Sequence, residues 1–337
     1  MVTANAPVAA PSTIIRHAVG VYPAMAMLAG MQLDVFTPLR DGPLTGAEVA
    51  EAIGVKPTKL IPLLYALVAA ELLAIQDDRF SNTPEADTYL VRGRPSYLAG
   101  REEFYADIWP ALLKTAASIH AGAPQHKHNF HAMREDEMLA FFRGQHFYAV
   151  AAGEYLARTN DFSRFRHVLD VGGGSGGVAI GACQTCPELT ATVVDLPRII
   201  PVTRRFIEES SVAARVRTNV VDVTTGSPPG TYDVAIMRNL IQVLSLESAE
   251  AAVRNVARSL NPRGWLFVAG SVLDDTRQSP IDLVGQNLVF LNIYDDGLIY
   301  TEGEYRAVLA GAGFVDIKVQ RRCMPARESV FTARLPE

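Results

Sequence analysis

The chain of 337 residues is 49% hydrophobic and 20% charged, enough for about two ordinary domains with full cores, which excludes disorder or a fibre as a description of the whole. Its 31 Lys and Arg against 36 Asp and Glu leave a net charge of −5, so nucleic acid and anionic lipid are not expected partners. Three cysteines make no disulfide framework and point to a reducing cytoplasm.

Residues 1–12, with Pro7 and Pro11, read as a loose tail without the basic and apolar regions of a secretory signal. From Ile14 to Leu39 apolar residues dominate with little alternation, which predicts a helix buried on more than one face and in need of a partner. The uncharged stretch Ala18 to Leu33 is interrupted by Pro23 and Gln32 and falls short of the roughly 20 residues of a bilayer span, so no membrane span is expected. Thr45 with Glu48 makes a capping-box pattern for a short helix ending at Gly54. A second helix is predicted from about Lys56 to Leu73, then a hairpin turning at Asp77-Asp78. Together these predict a winged helix over residues 13–100. A groove-reading helix needs polar and basic residues on its outer face, whereas this one is apolar after Lys56 and Lys59, and residues 1–100 hold seven Lys and Arg against nine Asp and Glu. Burial in a homodimer interface explains the apolar face better than DNA does.

Residues 101–164 are predicted to be helical, with one helix from about Tyr97 to Ala121, carrying Tyr105 and Trp109 as candidate acceptor contacts, and another from Asp136 to Arg158. Between them His126, His128 and His131 invite a metal, but no Cys, Asp or Glu stands at ligand spacing beside them, so no metal is expected and the loop reads as exposed, edging a pocket. Cys183 and Cys186, spaced as CxxC within a helix and without a second pair, read as small buried residues.

From residue 165 the pattern becomes β-rich runs alternating with helices: HVLDV, ATVVD, VRTNVVDV, YDVAIM and GWLFVAG, followed by helices over Pro280–Tyr294 and Thr301–Ala312 and two closing strands. This is the signature of an α/β fold with a Rossmann-like, doubly wound parallel sheet over residues 165–337. The first run enters Gly172-Gly173-Gly174-Ser175-Gly176-Gly177, where glycines let the backbone turn tightly and approach a ligand at the carboxyl edge of a strand. The glycines satisfy GxGxxG and so do not separate a dinucleotide from other ligands. The acids do more. Asp170 suits a cationic ligand end such as the amino group of S-adenosylmethionine, and Asp195, at the second strand's end, suits ribose hydroxyls. Asp222 with Val223, at the third, suits an adenine amino group and ring face.

In LDVGGGSGG, in VVDLP at 193–197 and in the tail from Tyr294 to Phe314, the chain resembles the class I methyltransferases that use S-adenosylmethionine, and within them the small-molecule O-methyltransferase family. The resemblance implies a winged-helix dimerisation domain, a Rossmann-like domain, an acceptor pocket, and donor contacts at Gly172, Gly173, Gly174, Asp195, Leu196, Asp222, Val223 and Arg238. The family's catalytic base is a histidine in a His-Asp-Trp run after the fourth strand; here that run reads Gln242-Val243-Leu244, and a glutamate that assists it is replaced at Ile299. His146 falls where the family has a methionine facing the reacting methyl group, and is a candidate base or acceptor contact. Phe142, Arg143, Phe147, Asn239, Asn287 and Asn292 are further candidates for the acceptor. With Gln242 unable to take a proton, the expected acceptor is an atom needing no base: sulfur first, as in a small thioether, and nitrogen second. The alternatives are an O-methyltransferase using His146, and a relative that binds the donor without transfer.

Overall fold

The computed structural model describes residues 10–128 and 133–337; the first nine residues of the expected tail, and His131, lie outside the described residues. Two compact units meet in sequence at Glu102/Glu103. The helical stretch that follows therefore belongs to the same unit as the sheet and is not a separate segment.

In the first unit the long apolar run breaks into α1 (Ser12–Val19) and α2 (Tyr22–Gln32), because Gly20 and Pro23 interrupt the helical hydrogen-bond ladder. The short strand β1 (Leu44–Thr45) leads into α3 (Gly46–Ala52), whose capping box forms as Thr45 and Glu48 predict. Next come α4 (Pro57–Ala69), the hairpin β2 (Leu73–Gln76) and β3 (Arg79–Asn82), and α5 (Pro84–Tyr89). The turn rests on Asp77 and Asp78, both left-handed, with φ of 48° and 56°. The three strands pair in the order β1-β3-β2. Val35, Phe36, Leu64 and Leu67 form a dry core, while α1 buries nothing and Ile14, Ile15, Tyr22 and Tyr65 stand more than half exposed within this chain.

The expected helix over 97–121 is two, α6 (Arg101–Leu112) and α7 (Thr115–Ala121); α8 (Glu135–Thr159) follows. Strands and helices then alternate: β4 (His167–Val171), α9 (Gly177–Thr185), β5 (Thr190–Asp195), α10 (Ile200–Glu208), β6 (Val216–Val220), β7 (Tyr232–Arg238), α11 (Leu246–Ala257), β8 (Leu260–Gly270). The chain closes with α12 (Ile281–Ile293), α13 (Glu302–Gly311), β9 (Val315–Gln320) and β10 (Ser329–Arg334). Strand order is β6-β5-β4-β7-β8-β10-β9, with β10 antiparallel to both neighbours.

Both sheet faces are covered, and the strand sequences say why. Successive residues point to opposite faces, so Val193, Val234 and Ile236 pack under α8 and α9 while Val194, Ala235 and Met237 pack under α11 and α13. Helix α8 lies in backbone contact with α9: a Cβ at Gly153 would sit 2.1 Å from Val178 O, and one at Gly181 2.1 Å from Val150 O. The strand order reverses beside β4, whose neighbours are β5 and β7, which opens a crevice at the carboxyl ends of these strands.

Candidate active site

The crevice holds a cavity of about 450 Å³, within the range of small-molecule sites. Its floor is the loop after β4. Gly172 and Gly174 are left-handed (φ 61° and 56°), and a Cβ at either would strike Leu240 or Phe142 at 2.9 and 2.6 Å, so only glycine fits there. The loop is held by Gly172 N–H to Val194 O at 2.8 Å and by Thr203 Oγ1 to Gly174 O at 2.6 Å.

Asp195 closes the end of β5 on the cavity wall. Its Oδ2 accepts the Gly174 N–H at 2.8 Å and its Oδ1 the Leu196 N–H at 2.7 Å, which orients the carboxylate and leaves further lone pairs for a ligand. Burial raises its pKa to about 6 against the pull of those two N–H groups. Asp222 is fixed by Thr224, whose N–H and hydroxyl both donate to its Oδ1. Val223 beside it is buried, and Leu196 and Ile199 add apolar wall. Arg238 borders the cavity with its guanidinium paired to the buried Glu328, just before β10. Asn239, next to it, lines the cavity in a left-handed conformation (φ 55°). Phe142 lines it as expected, and the cavity also takes in Gln145, Val243, Leu244, Ser248 and Tyr294. Gln145 falls in the Phe142–His146 stretch, Val243 and Leu244 in the run after β7, and Tyr294 at the head of the tail that carries the resemblance, whereas Ser248 lies in α11 in no motif.

Other candidates are placed elsewhere. Asp170 lies beneath the loop, its Oδ2 accepting the Ala179 N–H at 3.1 Å, and is not a lining residue. Burial raises its pKa to about 7, with Asp195 adding to the rise. It fastens the first turn of α9, directly after the glycine loop. Gln242 is buried and turned away: its Oε1 accepts the Ser271 N–H at 2.9 Å and its Nε2 donates to Asn239 Oδ1 at 3.3 Å. It ties the end of β8 to the turn after β7. His146 turns to the back of the glycine loop, with Nδ1 2.9 Å from Ser175 Oγ and its ring stacked on Phe206 at 4.5 Å. Burial lowers its pKa to about 4, and it does not line the cavity.

The acceptor candidates outside Phe142 and Asn239 are likewise engaged elsewhere. Tyr105 and Trp109 stack on one another along α6 at 4.7 Å, Arg143 is exposed, and Phe147 packs edge-on to Tyr148. Asn287 accepts the Ile299 N–H at 2.7 Å. Asn292 is fully buried, accepting from Ser118 Oγ at 2.6 Å and donating to Thr115 Oγ1 at 2.9 Å, and so locks α12 to α7. None of the six lines the cavity: the two asparagines are held by neighbouring segments, the aromatic rings pack within their own helices, and Arg143 faces away from it. Burial raises the thiols of Cys183, to about 11, and Cys186, which keeps them protonated at neutral pH.

Residues 117–315, more than half of the chain, match the O-methyltransferase domain, and residues 15–92 match the O-methyltransferase dimerisation domain. The chain belongs to the O-methyltransferase family. It is 29% identical over 325 residues to the tetracenomycin polyketide synthesis 8-O-methyl transferase of Streptomyces glaucescens, covering 94% of this chain and 95% of that one. It is 28% identical over 326 residues to an N,N-dimethyltransferase of Streptomyces rimosus, covering 93% of each. Human N-acetylserotonin methyltransferase, solved with S-adenosylmethionine, shares the fold with a TM-score of 0.84 at 21% identity, over 99% of this chain and 100% of that one. This O-methyltransferase family member is a methyltransferase that uses S-adenosylmethionine and acts on small molecules.

The dimerisation match also bears on the apolar N-terminal segment. Taken together, Ser12–Gln32 has 21 residues and contains an 18-residue window with a mean hydropathy of 1.3, so its length and composition would suit a bilayer, and the expected shortfall in length does not hold. It lies almost wholly within the dimerisation match, which offers its exposed side chains a second subunit instead.

Proposed function

We propose that the chain transfers a methyl group to an oxygen of a small hydroxylated metabolite, by proximity and without a side-chain base. The observation that carries this reading is the cavity wall: among the described residues, no histidine or lysine lines it, since His146 and Gln242 are engaged elsewhere. The relatives support oxygen, with nitrogen second, and lend no support to the sulfur acceptor expected from the missing base.

The chemistry of the wall fits S-adenosylmethionine, which when bound supplies an electrophilic methyl group on a sulfonium. Asp195, oriented by two backbone N–H groups, accepts the ribose hydroxyls. Asp222 takes the adenine amino group, and Leu196 and Val223 cover the ring. Gly172, Gly173 and Gly174 let the chain come close to the donor's amino-acid end, with Arg238 beside them. Phe142, Gln145, Asn239 and Tyr294 supply the remaining wall for the acceptor. Holding the two reactants in line is worth up to about 7–11 kcal/mol, which is ample for a nucleophile already ionised. An ordinary phenol with a pKa near 10 is only about a thousandth ionised at pH 7, whereas one acidified by a conjugated carbonyl is ionised in far larger part. The acceptor class is therefore an acidic hydroxyl whose proton leaves to water before transfer. Two copies pair through residues 15–92, where Ile15, Tyr22 and Tyr65 wait for cover.

The test is turnover with S-adenosylmethionine and a panel of phenols of graded acidity, thioethers and amines, read as S-adenosylhomocysteine formed and as product mass. O-methylation whose rate at fixed pH rises with the ionised fraction of the phenol is expected. Methyl found only on sulfur or nitrogen, no turnover with any acceptor, or an inflection at one fixed pH whatever the phenol, overturns the reading.

A further inference from the structure

A second cavity, of about 680 Å³, opens beside α6 and the loop before α8. The loop reaches it along the end of α12: the His126 N–H donates to Asn292 O at 3.1 Å and the His128 N–H to Ile293 O at 3.0 Å, satisfying carbonyls that a helix end leaves open. The rings of His126 and His128 lie together, with centroids 6.2 Å apart. Asp107, from the middle of α6, reaches the same place, and one ligand atom of each of the three lies within 4.8 Å of the others.

The detail of this meeting is informative. Asp107 Oδ2 stands 3.0 Å from His128 Nε2, yet it is buried and has no aligned hydrogen-bond partner among the described residues. Two ligands each about 2.1 Å from one cation, at tetrahedral or octahedral angles, stand about 3.0–3.4 Å apart. The supports are firm: the His128 ring packs edge-on against Phe141 at 5.3 Å, and Asn292, which carries the loop, is itself locked by Ser118 and Thr115. The cavity leaves the outer side of the triad open, with the carboxylates of Glu103 and Glu137 on its wall.

We propose that Asp107, His126 and His128 form a binding site for a divalent first-row transition-metal ion. Two imidazoles and one carboxylate suit zinc, cobalt or iron(II), whereas magnesium and calcium favour all-oxygen ligands. The remaining coordination positions face the cavity and take water or an oxygen donor. Phe141 lines both this cavity and the candidate donor cavity, so the ion would stand one aromatic ring from the methyl-transfer site. The site does not depend on the acceptor proposed above, because its test is binding without turnover.

Full-length protein stripped with a chelator is titrated with Zn²⁺ by calorimetry and with Co²⁺ by visible absorption, with Mg²⁺ as the oxygen-preferring control. One ion per chain is expected, with Zn²⁺ at least tenfold tighter than Mg²⁺ and a cobalt spectrum free of thiolate charge transfer. His126→Ala and Asp107→Asn, both at partly exposed positions, should each weaken binding at least tenfold while leaving the thermal melt of the chelated protein in place. Replacing Cys183, Cys186 and Cys323 by serine should leave the affinity unchanged. Equal affinity in wild type and the His126→Ala/Asp107→Asn pair, a thiolate band, or a preference for Mg²⁺ overturns the proposal.

Discussion

His146 Nδ1 lies 2.9 Å from Ser175 Oγ, so the histidine of α8 clasps the glycine loop from behind while its ring stacks on Phe206. A group in that position shapes the site without entering it. His146→Gln should leave kcat within about threefold and lower stability by about 1–2 kcal/mol, the sum of one hydrogen bond and one aromatic contact. Steady-state kinetics beside a denaturant melt reads both quantities. A loss of several orders of magnitude in kcat would restore the imidazole as base.

Asp195 is the carboxylate best prepared for the donor, since two N–H groups already aim it. Asp195→Ala should weaken S-adenosylmethionine binding by about 1.5–3 kcal/mol, roughly ten- to 150-fold, measured by calorimetry. An unchanged Kd would remove it from the donor site.

Gln242 stands where the resemblance places the family base, yet its Oε1 serves the backbone. Gln242→Leu leaves the buried Ser271 N–H without its acceptor and should cost about 1–3 kcal/mol of stability. Any variant that still folds at assay temperature should keep most of its turnover. A stable Gln242→Leu protein with turnover abolished would show the amide acting in the reaction.

Burial raises Asp170 to about pKa 7, well above its unfolded value near 4. Its stabilising contribution is then fully present below about pH 4 and is lost as pH rises through 7, at up to about 1.4 kcal/mol per pH unit. Asp195, raised to about 6, acts in the same direction. His146, lowered to about 4, acts oppositely, its contribution being present above about 6.5 and lost as pH falls. The difference between wild type and Asp170→Asn isolates one group: the variant should gain stability relative to wild type as pH rises from about 4 to 7, and the gain should level off above that. A parallel pair of stability curves would refute the assignment.

Gly153 and Gly181 let α8 and α9 cross with their backbones touching. Gly153→Ala forces a methyl group into Val178 O and should cost about 3 kcal/mol or more, seen as a fall in melting temperature or in soluble yield. An alanine variant with wild-type stability would mean that the helices part without penalty.

The extended apolar runs, the glycines after β4 and the acids at successive strand ends made the doubly wound sheet and the donor wall legible in the sequence, because these features are local: a strand's period and a glycine's freedom depend on few neighbours. Asp195, Leu196, Asp222, Val223 and Arg238 all arrive where their strand ends place them. The direction of a side chain that finds a better partner is not local. Gln242 meets Ser271, His146 meets Ser175, Asn292 meets Ser118 and Asp170 meets Ala179, each through segments brought together only when the helices pack on the sheet. The three-residue cluster obeys the same rule. The sequence shows His126, His128 and His131 with no acid at ligand spacing and so predicts no metal, but Asp107 comes from α6, and ligand spacing along a chain does not register a partner that folding supplies from elsewhere.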